Sequence, residues 1–133
     1  MSFPKTYRAD DAPVGVLRLA ERLVPLLIEG DHPALSALRQ QLPSARVKEV
    51  ELTGVGFYVD FEVPTDVPLA DPPNLTGGAA RITVKGVRYG AGCLLFVRDG
   101  RLAALEGYTY GDPWPENAVV LAIDDVVPII PVQ

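Results

Sequence analysis

The chain carries a single cysteine, a single histidine, one tryptophan and one methionine in 133 residues. One thiol, Cys93, makes an intrachain disulfide impossible. With only one imidazole, His32, beside it, no thiolate or imidazole zinc cluster can be assembled. Basic residues are also few: 12 Lys and Arg stand against 17 Asp and Glu, for a net charge of −5 at pH 7. They occur singly, whereas nucleic acid and anionic membranes are bound through clustered Lys and Arg. No apolar run approaches the ~20 residues of a membrane-spanning helix. The opening MSFPKTYRADD turns polar and acidic where a signal peptide needs an apolar stretch. The expectation is a cytoplasmic protein without cofactor or metal, with neither nucleic acid nor membrane as partner.

What is present suits one domain over 1–133. The chain is 48% hydrophobic and 22% charged, a globular composition, and a domain of this length buries about 68% of its extended surface. Residues 1–12 read as a polar lead-in. From Pro13 the pattern becomes helical, with Leu17, Ala20, Val24, Leu27 and Ile28 at spacings of three and four. Pro25 falls inside this pattern and is expected to kink or split the helix, and Gly30 stops it. Asp31 is the expected N-cap of a second helix, with Pro33 in its first turn, Leu35, Leu38 and Leu42 on one face, and Pro43 at its end.

Beyond Pro43 the period changes to two. Val55, Phe57, Val59, Phe61 and Val63 alternate with Gly56, Tyr58, Asp60 and Glu62. A less regular strand over 46–53 precedes it, joined through Thr53-Gly54. Residues 64–78 are proline-rich and aperiodic, which predicts a long loop. Residues 80–88 alternate weakly. Cys93 to Val97 is apolar on both faces and reads as a central strand. Asp99-Gly100 predicts a type I′ hairpin turn into a returning strand over 101–110. A last, buried strand is expected over Ala118–Ile123, and the apolar tail 124–133 is interrupted by Pro128 and Pro131, which suits an edge. The fold class is α+β: two N-terminal helices packed on a mainly antiparallel sheet of five to six strands.

The segment richest in chemistry is LEGYTYGDPWPE, Leu105 to Glu116. On a strand, Glu106, Tyr108 and Tyr110 share one face. The chain then turns through Gly111-Asp112-Pro113 and reaches Trp114 and Glu116. Tyrosine and tryptophan are frequent anchors of recognition surfaces, so Glu106, Tyr108, Tyr110, Asp112, Trp114 and Glu116 form the candidate binding set. The competing reading is that Tyr108, Tyr110 and Trp114 close one end of the core with their polar tips at its rim. Glu106 buried among aromatics would have a raised pKa suited to proton transfer; an ion pair with Arg88 or Arg98 is the simpler reading. No catalytic residue is assigned.

Other motifs give way to simpler readings. His32 sits at a helix start and Cys93 in an apolar strand, so nothing brings them together as a nucleophilic pair. Gly54-Val55-Gly56 and Gly90-Ala91-Gly92 join strands and open no helix, as a phosphate cradle requires. Asp71 and Asp124-Asp125 lack calcium-loop spacing.

GVGFYVDFEVP (54–64), taken with GCLLFVRDGRLAALEGYTYGDPWPE (92–116), resembles small bacterial proteins that end a hairpin with an LEGYTYG–WP-like motif. The resemblance spans about half the chain. Some small acidic proteins of this kind look like immunity or accessory proteins of bacterial toxin systems. The resemblance implies an interaction role rather than an enzyme, and it transfers no active-site residue.

Three functions compete. The first is a small acidic binding protein whose 106–116 surface meets a protein partner or itself. The second is a small-molecule binder or modest enzyme, with a pocket between helices and sheet lined by Glu106, Tyr108 and Arg88 and roofed by 64–78. The third is a homo-oligomer in which Val126, Val127, Ile129, Ile130 and Val132 complete a neighbour's core.

Overall fold

A computed structural model describes residues 3–131. Strand β1 (Lys5–Arg8) comes first, followed by helices α1 (Val14–Leu27) and α2 (Pro33–Gln41). Six further strands follow: β2 (Arg46–Leu52), β3 (Gly56–Glu62), β4 (Leu75–Val84), β5 (Ala91–Arg98), β6 (Arg101–Thr109) and β7 (Val120–Val127). All seven join one antiparallel sheet in the order β1-β2-β3-β6-β5-β4-β7. The chain thus crosses from β3 past two strands to β4, returns through two hairpins, and crosses again to the far edge.

The α+β class is as expected, but the sheet has seven strands rather than five or six, and the helices are not the first elements. The polar lead-in contains β1, whose Tyr7 pairs with Val50 and whose Thr6 pairs with Glu51. Four residues with one aromatic carry too little alternation to announce a strand. The 64–78 loop ends early, because β4 begins at Leu75 and runs through Gly77 and Gly78. Gly78 is buried with no room for a side chain: a Cβ there would lie 2.8 Å from Ile129 and 3.3 Å from Leu27. The last strand is shifted to Val120–Val127 and is a bulged edge with Leu121 and Val127 exposed, not a buried strand.

Helix α1 remains continuous through Pro25, which lies near its last turn on the exposed side. Its other face buries Val16, Leu19, Ala20, Leu23, Val24 and Leu27, each fully buried large side chain contributing about 1.5–3 kcal/mol by transfer. The N-cap of α2 is His32 rather than Asp31: its Nδ1 accepts from the Ala34 N–H at 3.0 Å. This is the usual capping bond, supplied by a ring nitrogen in place of an oxygen. Both helices lie on one face of the sheet, in a single core with Val50, Leu52, Phe57, Val59, Cys93, Leu95 and Leu105.

Gln41, at the end of α2, is fully buried and fully used. Its amide donates to the carbonyls of Pro68 and Gly100, at 2.7 and 2.8 Å, and its Oε1 accepts from Leu102 N–H at 3.0 Å. One side chain therefore joins the helix, the long loop and the β5–β6 turn. That turn has the expected form, with Asp99 and Gly100 both at positive φ (53° and 77°). The tail packs on its own chain: Ile129 is buried, and its N–H donates to Leu27 O at 2.8 Å. Ile130 is exposed, and Val132 lies outside the described residues.

Candidate functional site

Residues directly opposite one another on paired strands project from the same face. Reading across the sheet, one row runs Thr6–Glu51–Tyr58–Glu106–Leu94–Ala79–Val127. The next runs Arg8–Glu49–Asp60–Ala104–Phe96, and a third Gly56–Tyr108–Gly92–Arg81–Asp124. All three project from the face opposite the helices, since the intervening residues, such as Phe57, Val59, Cys93 and Leu105, fill the core. On this uncovered face Tyr58, Leu94, Phe96, Glu106 and Tyr108 are each only partly buried.

Glu106 is held at the centre of that face. Its carboxylate accepts from the Tyr58 hydroxyl at 2.8 Å across β3 and β6. This bond, more than burial, pushes the Tyr58 pKa up from its ordinary 10.0, because losing the phenolic proton would set two anions side by side. No ion pair joins Glu106 to Arg88 or Arg98. Arg98 lies over the Phe96 ring instead, 5.6 Å from its centroid. Burial, then the charge of Glu49, raises the Asp60 pKa, with Arg98 and Lys48 opposing.

Glycines let the aromatic rings lie down on both faces. Tyr108 rests against Gly92, where a Cβ would come 2.5 Å from the phenol ring. On the core side, a Cβ at Gly107 would enter the Phe57 ring. Tyr110 meets Tyr108 edge to face at 5.9 Å and is 51% exposed.

The rest of the candidate set separates. Trp114 is not presented to solvent: it is 5% exposed, stacks at a tilt on Phe57 with centroids 5.0 Å apart, and donates its backbone N–H to Gly54 O. The core-closing alternative describes this residue, although its indole N–H finds no hydrogen-bond partner among the described residues. Asp112 closes the turn, accepting from Arg88 N–H at 2.9 Å while its carbonyl accepts from the Thr109 hydroxyl. Glu116 pairs with Lys5 at 3.0 Å, fastening this segment to β1. The structure thus brings together Glu106, Tyr108 and Tyr110, and puts Asp112, Trp114 and Glu116 to structural use.

Sequence reasoning did not select Tyr58, Leu94 or Phe96. The signal for Tyr58 was in the β3 alternation, whose Gly56, Tyr58, Asp60 and Glu62 were the outward set; what was missing was the pairing of β3 with β6. The pocket between helices and sheet has walls other than Glu106, Tyr108 and Arg88, because the first two project from the opposite face. Cys93 is buried in the core, and burial lifts its thiol pKa to about 12, while His32 is engaged as a cap.

Among the described residues no group of three or more His, Cys, Asp or Glu side chains is placed to hold a metal ion, and no helix is long and apolar enough to cross a membrane. The fold and this surface define an α+β protein with one bare, aromatic and acid-bearing sheet face. Set against protein-family models, curated proteins and solved structures, the chain matches none of them.

Proposed function

We propose that the chain is a small acidic, cytosolic binding protein whose uncovered sheet face docks a basic protein partner. The observation that supports this reading is the composition of that face. Partly buried Tyr58, Leu94, Phe96 and Tyr108 lie beside Glu49, Glu51, Asp60 and Glu106 on adjacent strands. Large aromatics supply contact area at low entropic cost, and the carboxylates supply charge that draws in and orients a basic surface. A toxin domain neutralised by its immunity protein is one specific form of such a partner.

The sheet edges favour a different chain over a second copy. Edge strand β1 is four residues long and carries Lys5 and Arg8; edge strand β7 departs from regular register twice and holds Asp125 at φ 50°. Short, charged or bulged edges resist pairing with another sheet.

The test is affinity capture from the native host with three folded proteins: the native chain, Leu94→Glu with Glu106→Lys, and Glu29→Lys on the exposed helix side. The reading requires a partner retained by the native chain and Glu29→Lys but lost by the double variant. A partner retained equally by all three contradicts it.

A further inference from the structure

A pocket of about 390 Å³ opens on the helix side, where α1 passes the ends of β2, β3 and β6. It holds the equivalent of about a dozen waters at ~30 Å³ each, within the lower part of the ~300–1,000 Å³ range of small-ligand sites. Val24, Val47, Phe61 and Leu102 give it apolar walls, and among the described residues its charged lining is Glu21 and Arg46.

Two charged side chains at this pocket have no partner among the described residues, and one main-chain acceptor has lost its usual helical donor. Pro25, also in the lining, has no N–H, so the Glu21 carbonyl four residues earlier loses its normal helical donor. The Glu21 carboxylate and the Arg46 guanidinium make no ion pair or side-chain hydrogen bond among the described residues. Each is exposed to solvent at the edge of the apolar space.

The geometry points to a binding site for a free apolar α-amino acid, of the size of leucine or phenylalanine. A ligand with a single charge would match one of Glu21 and Arg46 and sit against the like charge of the other. A zwitterionic head matches both. Its ammonium has three donors, which meet the carbonyl and carboxylate of Glu21; its carboxylate takes the planar fork of Arg46. The apolar side chain fills the space bounded by Val24, Val47, Phe61 and Leu102. On this assignment Pro25 leaves the Glu21 carbonyl for the ligand, having no N–H to offer it. This site shares no residue with the sheet face, and it stands or falls separately from the partner-binding reading.

Isothermal titration calorimetry on the full chain with L-phenylalanine and L-leucine tests it. The expected result is one site per chain, with hydrocinnamate (no ammonium) and phenethylamine (no carboxylate) each binding at least about ten-fold more weakly. Glu21→Gln and Arg46→Gln should each weaken the amino acid by a similar factor, and Ala45→Leu, which fills the pocket, should abolish binding. Lys85→Ala, in the exposed turn after β4, should leave it unchanged. Should Ala45→Leu fold poorly, methyl resonances of Val24, Val47 and Leu102 in the native chain must shift on adding phenylalanine. Absence of binding at millimolar amino acid, or equal binding of hydrocinnamate or phenethylamine, overturns the assignment; so does retention of affinity in folded Ala45→Leu.

Discussion

The Tyr58 hydroxyl donates to the Glu106 carboxylate at 2.8 Å, joining two residues 48 positions apart on neighbouring strands. The bond fixes a carboxylate between Tyr58 and Leu94 on the uncovered face. It also has a spectroscopic signature. Because Glu106 is the main cause of the raised Tyr58 pKa, Glu106→Gln should return one tyrosine toward the ordinary value near 10 in an ultraviolet titration. Tyr58→Phe should remove that slow-titrating tyrosine and cost about 1 kcal/mol or less in chemical denaturation, as for one partly solvated hydrogen bond. If Glu106→Gln leaves the tyrosinate titration unchanged, the pair does not exist in solution.

Gln41 predicts a much larger effect from a residue far from the sheet face. Gln41→Leu deprives Pro68 O, Gly100 O and Leu102 N–H of their shared partner. Gly100 O keeps the Ala70 N–H at 2.9 Å, so two backbone groups, Pro68 O and Leu102 N–H, are left unpaired; at roughly 1–3 kcal/mol each, the expected loss is about 2 kcal/mol or more by urea denaturation. A loss below ~1 kcal/mol would mean that the loop and turn are not held by this side chain.

Two glycines that both support aromatic rings should respond differently to alanine. At Gly107 the new methyl meets the Phe57 ring inside the core, where neither can move away. Gly107→Ala should cost about 3 kcal/mol or more, at the upper end of overpacking effects. At Gly92 it meets the far end of Tyr108, which is free to swing outward from the open face. Gly92→Ala should cost about 1 kcal/mol and displace the Tyr108 ring, visible as a change in its aromatic resonances. Equal losses at the two sites would contradict the assignment of the faces.

Cys93 gives a prediction in pH. Its folded pKa, about 12, lies above the reference 9.0, so between these values the folded chain holds a proton that the unfolded chain releases. Stability must therefore fall as pH rises through that window, since the unfolded state binds fewer protons there. The raised pKa values of Tyr58 and Tyr108 act in the same direction above pH 10. Cys93→Ala should flatten part of this alkaline decline. Iodoacetamide should label the native thiol only on unfolding, and rapid labelling of the folded chain at neutral pH would place Cys93 outside the core.

Much of the fold was legible because local periodicity carried it. Leucine and alanine at spacings of three and four marked α1 and α2, alternation from Val55 to Val63 marked β3, and Asp99-Gly100 marked a turn with both residues at positive φ. What failed to show was set by distant contacts. Thr6 and Tyr7 form a strand only because β2 offers an edge, and Gly77-Gly78 looks like loop until Leu27 and Ile129 are seen to occupy the space beside Gly78. The site divides in the same way. The shared face of Glu106 and Tyr108 follows from a period of two within one strand. Their neighbours Tyr58, Leu94 and Phe96 follow from strand order, which no local pattern encodes. Trp114 had two readings, surface anchor and core closure, and the fold takes the second, with the indole turned back onto Phe57.

The proposed docking through the uncovered sheet face is tested most directly by backbone amide chemical shifts of the labelled chain, recorded with and without the captured partner. The predicted result is perturbation concentrated at Tyr58, Asp60, Leu94, Phe96, Glu106 and Tyr108, weakening as salt is raised. Shifts confined to α1 and α2, with these six residues unmoved, would contradict it.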